Sequence, residues 1–307
     1  MWYWILAWLL TIVTVFGNGF VICLIIRIQR LRTTANWSVL SLAVADLLVG
    51  LTFYPLLFAL NIDSLNEPPE QAKTFFLVSR TFLYLSATNL FVMIMDRYIA
   101  IVHPLKYLSF VTTKLLVAAL ATAWILPVLL FTLPYRLVWG GKFLLLLRVS
   151  ILQVLPVVFF IYVTVHIFFI MRRISKRQSR IFAQLAFNHA PKSDDQTMNL
   201  NCSHTESRAA SKMTVAIMFF FIICYVLENC KCFCTVFTMC HISTAFEQAI
   251  DFLFVINSAV NPVAYAFLKR DVKSVLRGML VPLKQEVHSI EGTQTSSSEQ
   301  RREDSRI

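Results

Sequence analysis

The sequence predicts an all-α membrane protein: a bundle of seven transmembrane helices, N-terminus outside, with a short amphipathic eighth helix. Three observations predict it. Hydrophobic residues make up 57 % of the 307, Phe alone occurs 26 times, and charged residues are only 15 %, against about a quarter in a globular protein. Seven apolar runs are each long enough to cross about 30 Å of hydrocarbon. The basic residues between those runs fall mostly on one side. A soluble fold cannot bury this much apolar surface, because a large share of any folded surface faces water. Disorder, a disulfide-stapled mini-protein and a nucleic-acid binder are excluded with it. The net charge of +11 has a better anionic partner in the lipids of a cytoplasmic membrane face than in nucleic acid.

The runs are residues 2–26, 37–60, 75–102, 115–139, 143–171, 213–239 and 246–268. They are read as helices, since an open strand cannot satisfy its backbone in lipid. The fourth and fifth are parted only around Gly140-Gly141-Lys142, so six spans is the alternative count. Pro127 and Pro156 lie in separate runs with Pro134 and the glycine pair between them, which favours seven. No internal repeat is visible, which argues against a transporter built from inverted halves.

Orientation follows from Lys and Arg placement. With the N-terminus outside, 22 of the 28 lie on the cytoplasmic side, in the short inner loops, in the long loop 172–212 and after the last run. Lys73, Arg80, Arg136, Lys142, Arg148 and Lys231 remain on the other. The first run lacks a basic leading segment and ends in Arg27 rather than a small-residue cleavage site, so it reads as a signal anchor. Little precedes it, so no separate extracellular binding domain is expected unless the sequence begins inside a longer one. The sequons Asn36-Trp37-Ser38 and Asn201-Cys202-Ser203 fall on the cytoplasmic side, where glycosylation does not occur.

In the loop 172–212, the basic flanks Arg172–Arg180 and Arg208–Lys212 are expected to continue the neighbouring helices. Residues 267–280 set Phe267, Leu268, Val272, Val275, Leu276 and Leu280 against Lys269, Arg270, Lys273 and Arg277, the pattern of a helix lying on the inner membrane surface. The bundle domain is thus residues 1–280. Residues 281–307, rich in Ser, Thr and Glu, read as a disordered cytoplasmic tail.

Ionisable groups at membrane depth are costly and therefore functional suspects. Asp46 sits mid-span in the second run, and Ser86, Asn257 and Asn261 are placed to join it; the asparagines, four apart, share a helix face. Oxygen donors around one carboxylate suit sodium with waters. A water-filled hydrogen-bond network without an ion is the alternative. Asp96-Arg97-Tyr98 lies at the cytoplasmic end of the third run, where long side chains snorkel to headgroups even without a further role.

Several motifs occur in order, each on its own span. They are Gly17-Asn18 in the first; Leu42-Ala43-Val44-Ala45-Asp46 in the second; and Asp96-Arg97-Tyr98, continuing to His103-Pro104-Leu105-Lys106-Tyr107, in the third. Trp124 with Pro127 follows in the fourth, Pro156 in the fifth and Asn261-Pro262-Val263-Ala264-Tyr265 in the seventh. Over about residues 2–280 the chain resembles the rhodopsin-like (class A) G-protein-coupled receptors. The resemblance implies a multi-pass plasma-membrane transducer with no covalent chemistry of its own and no covalent cofactor. Its partners would be an extracellular small molecule or short peptide, a heterotrimeric G protein and arrestin. Ligand binding would swing the inner end of helix six outward and open a crevice for the G protein. Arg97 matches the arginine that leaves Asp96 for the G protein, Tyr265 the tyrosine that turns inward, and Asp46 the carboxylate that binds an allosteric sodium ion.

Departures from the pattern are informative. The usual cysteine at the outer end of helix three is matched by Ala72, so that disulfide is expected to be absent. The Cys-Trp-x-Pro of helix six appears as Cys224-Tyr225-Val226-Leu227; without the proline the usual kink is lost. Thr164 stands where a tyrosine is common, near Tyr162, and the acid at the base of helix six is displaced to Glu206, with Ser207 in its place. Cys230, Cys232, Cys234 and Cys240 cluster near the outer end of helix six, with a bridge to Cys240 from Cys234 or Cys232 as the candidate pairing. A missing helix-three disulfide beside a Cys-rich third outer loop is similar to the melanocortin–adenosine branch.

Ser79 stands where amine receptors carry an aspartate, which disfavours an amine ligand, and no lysine in 246–268 offers a retinal linkage. Ser79 and Arg80, Glu228 and Lys231, and Glu247 and Asp251 are the candidate ligand-binding residues, for a small polar or zwitterionic molecule or the basic side chain of a short peptide. The alternative is an internal network, Glu228 with Lys231 and Arg80 with Asp251, that holds the helices without touching ligand. A divergent constitutive or decoy receptor and a membrane transporter are the rival functions. Hydrolase motifs are missing from the sequence.

Overall fold

A computed structural model describes residues 2–60, 73–103, 112–136, 141–188, 218–234 and 242–268, together with 272, 274, 275 and 278. Seven long helices occur among them. They are α1 (Trp2–Arg27), α2 (Thr34–Ala59), α3 (Lys73–Val102), α4 (Thr113–Arg136), α5 (Gly141–Asn188), α6 (218–234) and α7 (Thr244–Leu268). The first five hold stretches long and apolar enough to cross a membrane. The chain divides into two compact units. Met1–Val263 contains α1 to α6 and most of α7; Ala264–Ile307 is described only for the last turn of α7 and four residues beyond it. The predicted amphipathic helix 267–280 and the tail therefore lie mostly outside the described residues.

The exposed face of α1 is the reverse of a soluble protein's surface. Along α1, Ala7, Thr11, Thr14, Asn18, Val21 and Ile25 are buried, while Ile5, Leu9, Ile12, Phe16 and Phe20 are exposed. Both sets step by three or four residues, so small and polar side chains face the neighbouring helices and large apolar ones face the surroundings. Small residues permit close approach. A Cβ on Gly50 of α2 would lie 2.9 Å from Val15 Cγ2, and one on Gly17 of α1 would lie 3.0 Å from Pro262 Cγ. These two contacts draw α1 against α2 and α7.

The connection between α1 and α2 is a single 3₁₀ turn, Gln29–Leu31. Asn36 donates to the Leu31 carbonyl at 2.8 Å and Arg32 Nε to that of Ile26 at 2.9 Å. The Asn36 sequon is thus built into the fold: Asn36 and Ser38 are buried.

Most helices begin two or three residues before the predicted starts, and the largest departure is in α5. The fourth helix is described as far as Arg136 and the fifth begins at Gly141, and seven helices occur among the described residues. α5 runs on to Asn188, seventeen residues past the predicted 171. The basic flank Arg172–Arg180 does continue the helix; Arg208–Lys212 lies outside the described residues. Within α5, residues Ser150–Val154 form a π-helical turn immediately before Pro156. Proline has no N–H and its ring collides with the carbonyl four residues back, and a wider turn accommodates both. α6 runs unbroken through Leu227, as expected without the proline.

Candidate functional site

Three layers of polar residues lie inside the bundle. The first, toward the start of α3, is a ring of four charges. Arg80 on α3 reaches Glu228 of α6 through Nη1 and Asp251 of α7 through Nη2, both at 3.2 Å. Lys231, one turn along α6 from Glu228, lies 3.1 Å from Glu228 Oε2 and 2.7 Å from Asp251 Oδ1. All four are buried. Cations and anions alternate, so each charge has two opposite neighbours and the ring is neutral. That arrangement offsets the desolvation an isolated buried charge would suffer. The sequence reading proposed two separate pairs; the structure closes them into one circuit, because α3 brings Arg80 between both carboxylates. Glu247 lies buried one turn before Asp251. Ser79 is not part of the ring. Its hydroxyl donates back to the Phe75 carbonyl at 3.0 Å, since one residue of helix turns it about 100° away from Arg80.

The middle layer centres on Asp46, with no solvent exposure. One carboxylate oxygen accepts from Ser86 of α3 and the other from Asn261 of α7, the latter at 2.7 Å. Ser258 lies 3.5 Å from Ser86, and its carbonyl accepts from Asn18 of α1 at 3.1 Å. Asn257 lies on α7 one turn before Asn261. It does not bond Asp46 but lines a cavity of about 10 Å³, room for one water, with Ser86, Tyr225, Phe221 and Phe254. Neither of its amide atoms has a hydrogen-bond partner. One carboxylate, two hydroxyls and an amide oxygen without a partner fit a small hard cation. Tyr225 closes this layer, packed between Phe160 at 5.9 Å and Phe254 at 5.3 Å.

Below these, Ser41 of α2 donates to Asn89 of α3 at 2.7 Å and accepts from Trp124 of α4 at 2.8 Å. The sequence analysis had placed Trp124 but not these partners. At the predicted cytoplasmic end, Arg97 Nε lies 3.8 Å from Asp96. Asp96 is buried and Arg97 about a third exposed, so the pair sits at the bundle's margin. Tyr98 faces α5: its hydroxyl donates to Tyr162 at 3.2 Å and lies 2.8 Å from His166 Nδ1. Tyr162 thus makes the contact to α3, while Thr164, at the position where a tyrosine is common, has no hydrogen-bond partner. Pro262 packs on Gly17, and Tyr265 lies in the last turns of α7.

Cys23, Cys224, Cys230 and Cys232 are free thiols, and Cys234 is disulfide-bonded. Of the two candidate bridge cysteines, Cys234 is therefore the one engaged; its partner lies outside the described residues.

Arg148 of α5 was counted in the sequence only as an outer-side charge. It lies over the Phe131 ring, 4.7 Å from the centroid. Nearby, Gln153 donates to the buried hydroxyl of Tyr84.

A seven-helix bundle with a buried carboxylate beneath a polar outer layer, and an Asp-Arg-Tyr at one end of α3, defines a class. The chain belongs to the 7 transmembrane receptor (rhodopsin family), whose model matches residues 17–265. It is a family of receptors, not of enzymes. The chain is 26 % identical to the octopamine receptor beta-2R of Chilo suppressalis over 89 % of its own length and 78 % of the relative's. It is 27 % identical to the histamine H2 receptor of Cavia porcellus (87 % and 76 %) and 28 % identical to neuromedin-U receptor 2 of Mus musculus (89 % and 74 %).

Proposed function

We propose that the protein is a plasma-membrane receptor, N-terminus outside, that binds an extracellular ligand in the outer bundle and activates a heterotrimeric G protein by opening the cytoplasmic end of α6. The observation that carries this is the Asp96–Arg97 pair at the end of α3. A weak, half-exposed pair is one of two states that a ligand can bias, provided it binds them with different affinity. Tyr225 links the ligand layer to α6, while Asn261, Pro262 and Tyr265 adjust α7. The amphipathic segment 267–280 lies on the inner leaflet, and arrestin shares the cytoplasmic face.

Two of the relatives are named for amines and one for neuromedin U. In this chain Ser79 replaces the amine-binding aspartate and is turned onto its own helix, so the reading favours a small polar or zwitterionic molecule or a short peptide. Arg80, Glu228, Lys231, Glu247 and Asp251 form the floor of its pocket. Asp46, Ser86 and Asn257 hold sodium, with Asn261 fixing the carboxylate; the ion supplies the countercharge that a lone buried carboxylate lacks.

A cell-based panel of G-protein activation tests the reading. Basal or ligand-driven activation is expected with the native chain and lost with Arg97→Ala at equal surface expression. Activation unchanged in that variant would refute the coupling role. No activation by the native chain across all G-protein classes would favour a decoy receptor, consistent with the unkinked α6.

A further inference from the structure

Three basic side chains lie in the outer half of the bundle at α3, α5 and α6, and they are treated differently. Arg80 and Lys231 each face two carboxylates. Arg148 forms no ion pair with any described residue. Its Nε is shut off from solvent and has no hydrogen-bond partner, and the guanidinium rests on the face of Phe131. Cation–π attraction offsets only part of what such a cation loses on leaving water.

Its surroundings say which way it faces. Phe131 of α4 packs on Tyr84 of α3, with ring centroids 5.0 Å apart, in an apolar cluster with Leu130 and Leu152. Arg148 is close enough for its charge to act on both Tyr84 and Cys232 of α6. The guanidinium therefore addresses the space between α3, α4 and α6 rather than the lipid. Gln153 is 3 % exposed; its amide nitrogen donates to the Tyr84 hydroxyl, and its oxygen is buried with no hydrogen-bond partner among the described residues. Arg148 lies two residues before the π turn of α5, and Gln153 lies within it.

An unused cationic donor and an unused neutral acceptor thus flank one aromatic wall. We propose that Arg148 receives the carboxylate of a small organic acid in the outer bundle, while Gln153 Oε1 accepts from a hydroxyl or amine on the same molecule. Tyr84 and Phe131 bound its apolar part. This rests on the receptor reading only in placing the ligand in the outer bundle. The charge ring is self-neutralised and does not compete for the carboxylate; Arg148 selects it. A lipid headgroup carries a similar oxyanion and is the other source of the same chemistry.

The test is thermal melting of the purified chain in phosphatidylcholine nanodiscs, with and without phosphatidylglycerol. The probes are lactate, 3-hydroxybutyrate, 3-phenyllactate and phenylalanine, each beside its methyl ester. An acid is expected to raise Tm in phosphatidylcholine alone while its ester does not. Arg148→Gln is expected to weaken its apparent affinity about 10- to 100-fold, the loss of one charge-assisted hydrogen bond, and Arg148→Lys to weaken it less. Arg148 has no ion-pair partner among the described residues to orphan, so both variants should melt cooperatively near the native Tm without probe. An acid that binds Arg148→Gln as well as the native chain overturns the proposal. So does a panel in which no acid raises Tm, or stabilisation that appears only with phosphatidylglycerol and is lost in Arg148→Gln. No G protein is present in this measurement, so failure of coupling leaves its outcome unaffected. A neutral or cationic ester that stabilises in an Asp251-dependent way would overturn the acid while leaving the pocket in place.

Discussion

The outer ring and the Asp46 layer are both buried, both draw on α3 and α7, and are about 9 Å apart along α3, from Arg80 to Ser86. They solve the burial of charge in opposite ways. The ring sets two cations against two anions, each with two opposite neighbours. Asp46 has only neutral partners, Ser86 and Asn261. A neutral circuit gains nothing from an added ion and resists being opened. A lone carboxylate among neutral donors has no countercharge of its own, and burial disfavours its ionised form unless a cation joins it. The difference separates a clasp that holds α3, α6 and α7 together from the layer proposed above to take sodium.

Opening the clasp is the largest effect expected. Asp251→Asn takes from Arg80 and Lys231 the carboxylate they share and leaves two buried cations on Glu228. Breaking a buried pair in this way costs about 3–5 kcal/mol. The expected outcome is a large fall in Tm of the purified chain and reduced surface expression. Adding Lys231→Met restores a one-to-one balance between Arg80 and Glu228 and should recover part of the loss. If the double variant is no more stable than Asp251→Asn alone, charge balance is not what the ring provides.

The Asp46 layer depends instead on how closely the helices approach. Gly50 lies one turn from Asp46, where a Cβ would sit 2.9 Å from Val15 Cγ2 and 3.1 Å from Thr14 Cγ2. Gly50→Ala must push α2 from α1 or displace those methyls, a destabilisation of about 1–3 kcal/mol. Val15→Ala in the same chain should return part of it. A Gly50→Ala variant that melts with the native chain would mean α1 yields freely, and that Asp46 is not positioned from that side.

These layers were legible in the sequence to different degrees, for a physical reason. The spans could be read because lipid demands long apolar runs, and Asp46, Glu228 and Asp251 stood out as ionisable residues within or at the ends of those runs. Pairing within one helix was also legible: Glu228 and Lys231 are three apart. Pairing across helices was not, because it depends on how α3 is rotated against α6 and α7, which no one-dimensional spacing records. Rotation likewise separates Asn257 from Asp46, turns Ser79 away from Arg80, and brings Arg148 inward from a segment that reads as the start of a span. Pro156 was visible in the sequence, but the π turn before it was not, and that turn carries Gln153. The continuation of α5 through Arg172–Arg180 was legible from its basic flank, but its run on to Asn188 was not, because a helix extending into water has no apolar run to mark its end.

The smallest effect concerns the ion. If Asp46 takes sodium, the bound form is stabilised by an amount set by the ion's concentration over its dissociation constant. At a fourfold excess over that constant this is about 1 kcal/mol, or a Tm shift of roughly 2 °C for a domain of this size. The native chain should therefore melt higher in sodium chloride than in choline chloride at equal ionic strength, and Asp46→Asn should melt alike in both. Asn257→Ala removes an amide that has no hydrogen-bond partner among the described residues. If it erases the sodium shift without lowering Tm in choline chloride, Asn257 acts on the ion rather than the fold. A sodium shift that survives Asp46→Asn would place the cation elsewhere, and the middle layer would then be a hydrogen-bond network alone.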